Sequence, residues 1–306
     1  MQKDTISSLL ENLKDPKSLE IKDFLDRSSK LNSSILFYGE TGTGKDFWAN
    51  YLFLKSNKEK FINLNCGDVP ETLLESEWFG YKKGSFTGAS EDFEGRWSLA
   101  ENGILFLNQI DLLTVGMQAR LLRILENRKY FSIGSREEKH INARFLFSTD
   151  GDIKEKIKNG TFRKDLFFRI SSLSLLIPPL RERKNDILPI LNYYANTKGL
   201  KVNLTSKGKE NLLSFRWPGN IRELENFVND ISIRKDIIED IDTEKLSEAL
   251  FFAETHIFEE QPAWKELEKR YIEFLLKKHG NRSKVARILK ISRKSLYNKI
   301  KKYGKD

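Results

Sequence analysis

Directly after an apolar run at residues 34–38 the chain reads Gly39-Glu40-Thr41-Gly42-Thr43-Gly44-Lys45, and a helical stretch follows. The glycines let backbone N–H groups curl around phosphate oxygens, the helix N-terminus adds positive potential, and Lys45 reaches the outer phosphates. Such a loop works only between a strand and a helix, so it commits this part of the chain to an α/β arrangement. These seven residues and the adjoining Asp46 are candidates for holding a nucleoside triphosphate. Asp46 stands where most such loops carry the Ser or Thr that meets magnesium.

Four further apolar, β-rich runs, at 61–65, 104–107, 143–148 and 171–177, are separated by helical stretches. Strands alternating with helices predict a parallel sheet with helices on both faces. At 306 residues the chain has room for more than one unit. A short helical leader is expected over 1–32, the α/β subdomain over 33–180 and a helical lid over 181–235. An acidic linker then spans 236–262, ahead of a small all-α unit over 263–306. Cys66 is the single cysteine, which excludes an internal disulfide framework, and His140, His256 and His279 have no ligand spacing, so no structural metal is expected. No run of about 18 apolar residues and no signal peptide is visible, so a cytoplasmic protein without membrane contact is expected.

The net charge of +9 is unevenly placed. Residues 263–306 hold fifteen Lys or Arg against four Asp or Glu, a net +11, and the remainder sums to −2. On charge alone, a nucleic-acid contact and a solvated lysine-rich tail are both open. The hydrophobic pattern decides between them. Trp264, Leu267, Tyr271, Phe274 and Leu275 recur at helical spacing up to Gly280, and Val285, Ile288 and Leu289 mark a second, short helix. After a tight turn at Ile291, with Ser292 as N-cap, Leu296, Ile300 and Tyr303 give a third helix its inward stripe. Its outward face carries Arg293, Lys294, Ser295, Asn298 and Lys301, the pattern of a helix-turn-helix whose second helix enters the major groove of double-stranded DNA.

Taken in order, GETGTGKD, LNCGDVPETLLESEWFG, KKGSFTGA, GILFLNQI, FRKDLFFRI, PPLRER and WPGNIREL resemble the bacterial enhancer-binding proteins, AAA+ activators of sigma-54 RNA polymerase. The likeness runs from about residue 34 to the end, and the C-terminal helices resemble the Fis-type helix-turn-helix that such activators use on enhancer DNA. In that family an acidic residue follows the loop lysine, which accounts for Asp46. The resemblance implies a fold of an AAA+ P-loop parallel sheet, a helical lid and a small all-α DNA-binding unit, with ATP and Mg2+ as cofactors. Nothing in 1–32 is long enough for an N-terminal receiver domain, so control by a regulator acting in trans, or none, is expected.

The resemblance also assigns roles. Residues 84–89 correspond to the GAFTGA loop, with Ser85 in place of alanine, which implies that Phe86 and Thr87 contact sigma-54. On the residues alone, flanking glycines make a mobile tip that presents Phe86 as an anchor, or Phe86 packs inward. Arg163 and Arg169 match arginine fingers donated to a neighbour's nucleotide, although spacing alone reads them as surface arginines. Arg222 matches the lid's sensor-II arginine. Both roles imply sites between subunits of a ring, so a homo-oligomer, a hexamer or similar closed assembly, is expected.

At the Walker B strand the sequence departs from the family. Asn108 and Gln109 stand where the family has the aspartate that helps hold magnesium and the glutamate that polarises water. Amides keep the size but lose the charge, and cannot act as a base near neutral pH. Asn65 matches the asparagine that pairs with that glutamate, and Asp150 stands at sensor I where the family has asparagine. Asp150 either restores part of the charge around a weakened magnesium site or has drifted in a protein that no longer hydrolyses ATP. Enzyme activity is therefore left open between two functions. One is an ATP-driven ring that remodels sigma-54 polymerase, and the other is a hydrolysis-deficient, nucleotide-gated DNA-binding regulator or an engineered ATP-trapping variant.

Overall fold

A computed structural model describes residues 3–68, 70–234, 268–269, 271–272, 275–276, 281–289 and 291–303. The chain divides into two units, 1–242 and 243–306. In the first, strands β1 (Ile35–Tyr38), β2 (Phe61–Asn65), β3 (Ile104–Asn108), β6 (Arg144–Thr149) and β7 (Leu173–Leu176) form one parallel sheet in the order β2-β3-β6-β1-β7. All five strands expected from the apolar runs are present. Their near-continuous apolar character follows from burial on both faces, which a parallel sheet requires. On one face Leu105, Leu107, Phe145 and Phe147 cluster with Trp78 and Phe79 of α4 (Glu71–Phe79), Leu121 of α5 (Val115–Asn127) and Leu166 of α7 (Lys164–Ile170). Phe37 and Phe106 meet edge to face at 6.2 Å, and Phe106 stacks on Phe61, which reaches Phe53 of α3 (Lys45–Lys55).

Helix α5 illustrates the local logic. Met117, Leu121, Ile124 and Leu125 recur every three or four residues and are buried, and the Thr114 side chain caps the first turn by accepting from the Met117 N–H. Each such side chain contributes about 1.5–3 kcal/mol on burial. A short antiparallel hairpin, β4 (Lys129–Phe131) with β5 (Glu138–His140), follows α5 and was not legible in the sequence.

The expected leader contains α1 (Lys3–Asn12) and α2 (Pro16–Ser28), and both pack into the first unit. Asp15 caps α2 by accepting from the Lys17 N–H, with Pro16 in the first turn. The buried carboxylate of Asp186 accepts from the backbone N–H groups of Lys14 and Asp15, each at 2.9 Å, and from the Ser18 hydroxyl. Helix α6 (Ile153–Lys158) follows β6. Past β7 come α8 (Ile187–Thr197), α9 (Ser206–Ser214) and α10 (Asn220–Arg234), the helical subdomain expected over 181–235. Trp217 is fully buried there and donates its indole N–H to the Leu212 carbonyl at 3.0 Å.

In the second unit, α11 (Arg282–Ile288) and α12 (Arg293–Tyr303) close on a core of Ile272, Leu275, Val285, Ala286 and Leu296. Asn281 caps α11, and the Ser292 hydroxyl accepts from the Ser295 N–H at 3.0 Å, the N-cap read from the sequence. Two positions of the expected stripe are out of phase. Tyr271 and Ile288 are 49% and 40% exposed, and Ile272 and Ala286 turn inward in their place. The linker expected over 236–262 lies outside the described residues.

Candidate functional site

The carboxyl ends of β1, β2, β3 and β6 converge at one edge of the sheet, the place where open α/β folds bind ligands. The loop from Gly39 to Gly44 follows β1 and leads into α3 at Lys45. Gly42 sits at φ +77°, and a Cβ there would lie 2.4 Å from the Gly219 carbonyl oxygen, so only glycine lets the loop pass beneath the lid. Lys45 is 5% exposed and donates to the carbonyls of Gly39 at 2.8 Å and Glu40 at 2.9 Å. It is also ion-paired with Asp150.

Strand order explains that pair. Because β6 lies between β1 and β3, Asp150, one residue past β6, falls between the loop and Gln109, one residue past β3. The Thr41 hydroxyl and the Gln109 side-chain amide donate to the same carboxylate oxygen of Asp150, at 3.1 and 3.0 Å. Burial alone would raise the pKa of Asp150, but the hydrogen bonds from Lys45, Gln109 and Thr41 outweigh it and hold the carboxyl below its ordinary value. Gln109 is held at φ +56° by the turn out of β3.

A second carboxylate is engaged alongside. Asn108 donates its amide to both oxygens of Asp46, at 3.0 and 3.2 Å, and Asn63 donates to one of them at 3.1 Å. The Asn108 oxygen accepts from the Ser148 hydroxyl. The site therefore does not fit Mg2+ in the family's manner, because the side chain at the usual ligand position presents N–H groups to the neighbouring carboxylate and its oxygen is taken by Ser148. Among the described residues no cluster of three or more His, Cys, Asp or Glu side chains is placed to hold a metal ion. Asn65 lies beside Asn108 in register, donates to Asp68 at 2.6 Å and accepts from the Gly67 N–H, and no hydrogen bond joins it to Gln109. Asp111 is buried under Lys156 and the Thr149 hydroxyl, away from this exchange.

The lid closes the far side of the loop. Glu40 forms a two-pronged pair with Arg181, at 2.8 Å for one prong, and that arginine first, then the Asn220 amide, keep the Glu40 carboxyl below its ordinary value despite partial burial. Asn220 is buried at φ +54°. It accepts from the Leu180 N–H at 2.7 Å and donates to the Thr41 carbonyl at 3.0 Å, and the Ile221 N–H meets the Gly42 carbonyl at 2.9 Å. The fully buried Arg183 donates to the Thr43 carbonyl, and burial pushes its pKa down to about 10. Arg222 is exposed, with its Cβ packed against Gly42. Arg222 was named from the sequence, whereas Arg181, Arg183 and Asn220 were missed. All three lie in motifs quoted from the sequence, Arg181 and Arg183 in PPLRER and Asn220 in WPGNIREL, to which no role was attached.

The remaining sequence candidates lie elsewhere. Arg163 pairs with Asp165 at 2.7 Å and Arg169 donates to the Leu125 carbonyl at 2.8 Å, and neither bonds to residues 39–46 of its own chain. Phe86 is 44% exposed and packs edge to face on Tyr81 at 5.0 Å, with Thr87 exposed beside it, so the inward reading of Phe86 does not hold. On α12, Arg293, Lys294 and Asn298 are exposed and Ser295 is half-buried, and the side chain of Lys301 lies outside the described residues.

Residues 12–176 match the family model of the Sigma-54 interaction domain. The chain belongs to the sigma-54 activator family. Residues 181–263 match the AAA+ ATPase lid domain, through the stretch read as a linker, and 264–303 match the Fis family of bacterial regulatory proteins. The chain is 35% identical over 295 residues to a signal-transduction and transcriptional-control protein of Clostridium beijerinckii, covering 93% of this chain and 47% of that one. It is 39% identical to the Nif-specific regulatory protein of Azotobacter vinelandii, covering 69% and 42%, and 33% identical to FlbD of Caulobacter vibrioides, covering 95% and 70%. It therefore spans under half the length of the first two. NtrX from Brucella abortus in complex with ATP shares the fold, with a TM-score of 0.69 at 24% identity over 95% of this chain and 68% of that one. No helix among the described residues of this family member is long and apolar enough to cross a membrane.

Proposed function

We propose that this chain regulates sigma-54-dependent transcription, with the Fis-type helices holding double-stranded enhancer DNA and the AAA+ unit binding nucleotide between subunits of a homo-oligomeric ring, a hexamer by family likeness. The exposed Phe86–Thr87 tip carries the proposal, because a half-exposed aromatic on a glycine-flanked loop is a ready anchor for a partner, here sigma-54 in its polymerase. The outward-facing Arg293, Lys294 and Asn298 support the DNA contact. The loop glycines, Lys45 and the lid residues around Glu40 support nucleotide binding. Such a ring would act in the cytoplasm.

A second reading concerns hydrolysis. Gln109 directs its amide at Asp150, and Asn108 gives its amide to Asp46, so amides already engaged by carboxylates stand at the two positions where the family carries its acidic pair. That favours a regulator that binds nucleotide without turning it over. Steady-state ATP turnover by the full chain, beside the double variant Asn108→Asp with Gln109→Glu, tests it. The chain as it stands should show no turnover above background and the double variant a measurable rate. Robust turnover by the unaltered chain would remove the second reading and leave the ATP-driven one.

A further inference from the structure

We infer that Asp150 acts as a built-in counter-anion for Lys45 and biases the loop toward a nucleoside diphosphate over a triphosphate, with no requirement for a divalent cation. The inference rests on the nucleotide-binding part of the proposal above and specifies which nucleotide the site prefers.

The three ammonium hydrogens of Lys45 have three acceptors, the carbonyls of Gly39 and Glu40 and the carboxylate of Asp150. In a phosphate loop the α- and β-phosphates are cradled chiefly by backbone N–H groups, while the lysine side chain reaches the β- and γ-phosphates. A terminal phosphoryl group brought to Lys45 therefore meets a fixed negative charge already on that lysine. Asp150 cannot easily swing aside, because the Thr41 hydroxyl and the Gln109 amide hold the same oxygen at 3.1 and 3.0 Å. In the family pattern a divalent cation would offset the added phosphate charge. Here its usual ligand position is Asn108, which gives its N–H groups to Asp46 and its oxygen to Ser148. A diphosphate lessens the conflict, because it brings one phosphoryl group fewer, and less negative charge, to the Lys45–Asp150 pair.

Two departures from the family, Gln109 and Asp150, thus form one connected pair. Gln109 is a donor to Asp150, where a glutamate would set two carboxylates against each other. Asn108 donates to Asp46 alongside it. The neutral amide at 109 is what allows a carboxylate at 150 to sit in this edge of the sheet.

The test is equilibrium titration of the full chain with ADP and with ATP, each in excess EDTA and in millimolar Mg2+, for the unaltered protein, Asp150→Asn and Asp150→Ser. Thermal melts of all three accompany the titrations. The unaltered chain should bind ADP at least about tenfold more tightly than ATP, with both affinities within about threefold whether or not Mg2+ is present. Asp150→Asn should tighten ATP about tenfold or more and leave ADP within about threefold, and Asp150→Ser should shift the ratio the same way. An ATP-to-ADP affinity ratio that stays the same in both folded variants overturns the inference and leaves the nucleotide site intact. ATP binding to the unaltered chain that depends on Mg2+ also overturns it. Failure of all three proteins to bind either nucleotide would refute nucleotide binding itself and the inference with it.

Discussion

Replacing Asn220 with alanine tests how firmly the lid is fastened to the loop. The side chain is fully buried, and its oxygen is the acceptor for the Leu180 N–H at 2.7 Å. Alanine leaves that N–H buried without an acceptor, at about 1–3 kcal/mol. It must also keep φ near +54°, a conformation that costs a Cβ-bearing residue without a local polar side chain about 1 kcal/mol more than asparagine. Together the loss should be about 2–4 kcal/mol, a large share of the about 5–15 kcal/mol by which domains are held folded. Asn220→Gly removes only the first contribution, since glycine accepts positive φ, and should be the milder change by about 1 kcal/mol. Urea melts followed by tryptophan fluorescence measure both, with the midpoint falling and the slope unchanged. A loss below about 0.5 kcal/mol for alanine, or a glycine variant no better than the alanine one, would refute the assignment of Asn220 as the fastening between lid and loop.

Two further outcomes follow from the charged groups. Asn108→Asp sets a carboxylate against Asp46, where the amide donates at 3.0 Å, so its melting temperature should fall in EDTA and recover in Mg2+, while that of the unaltered chain ignores the ion; equal behaviour of both in differential scanning fluorimetry would argue against the match of amide to carboxylate. Arg181→Ala should be more destabilising at pH 7 than at pH 3. Glu40 is held below its ordinary value of 4.5, so the pair contributes above that value and is lost as pH falls through the depressed one, and denaturant melts across that range should show the gap between variant and parent closing.

What could be read in advance followed from how each residue's environment is set. The five sheet strands were legible because strands buried on both faces leave continuous apolar runs, and the phosphate loop was legible because its glycines and lysine are contiguous. The β4–β5 hairpin was not, because Lys129–Phe131 and Glu138–His140 are short and largely polar. Asp150 was found as a departure from a pattern, but its partner was not, because the pair exists only once β6 is threaded between β1 and β3. Glu40 with Arg181, Thr41 with Asn220 and Thr43 with Arg183 are separated by 140 or more residues, and no local rule joins them. In the second unit a helical period was visible but its phase slipped by one residue, from Tyr271 to Ile272, because a tyrosine satisfies the apolar pattern and yet keeps its ring half in water.

The loop that carries Phe86 is secured at its foot on two sides. Tyr81 exchanges backbone hydrogen bonds with Phe93 at 2.8 and 2.9 Å, and the neighbouring Lys82 N–H reaches the Ile133 carbonyl at 3.0 Å, between β4 and β5. At the other end Gly84 and Gly88 have positive φ, and a Cβ at either would meet nothing within 4 Å. The result is a stiff stalk with a soft nib. The foot is tied to the neighbouring hairpin, whereas the tip is closed only on itself, by the Gly84 N–H on the Ala89 carbonyl and the Ala89 N–H on the Phe86 carbonyl.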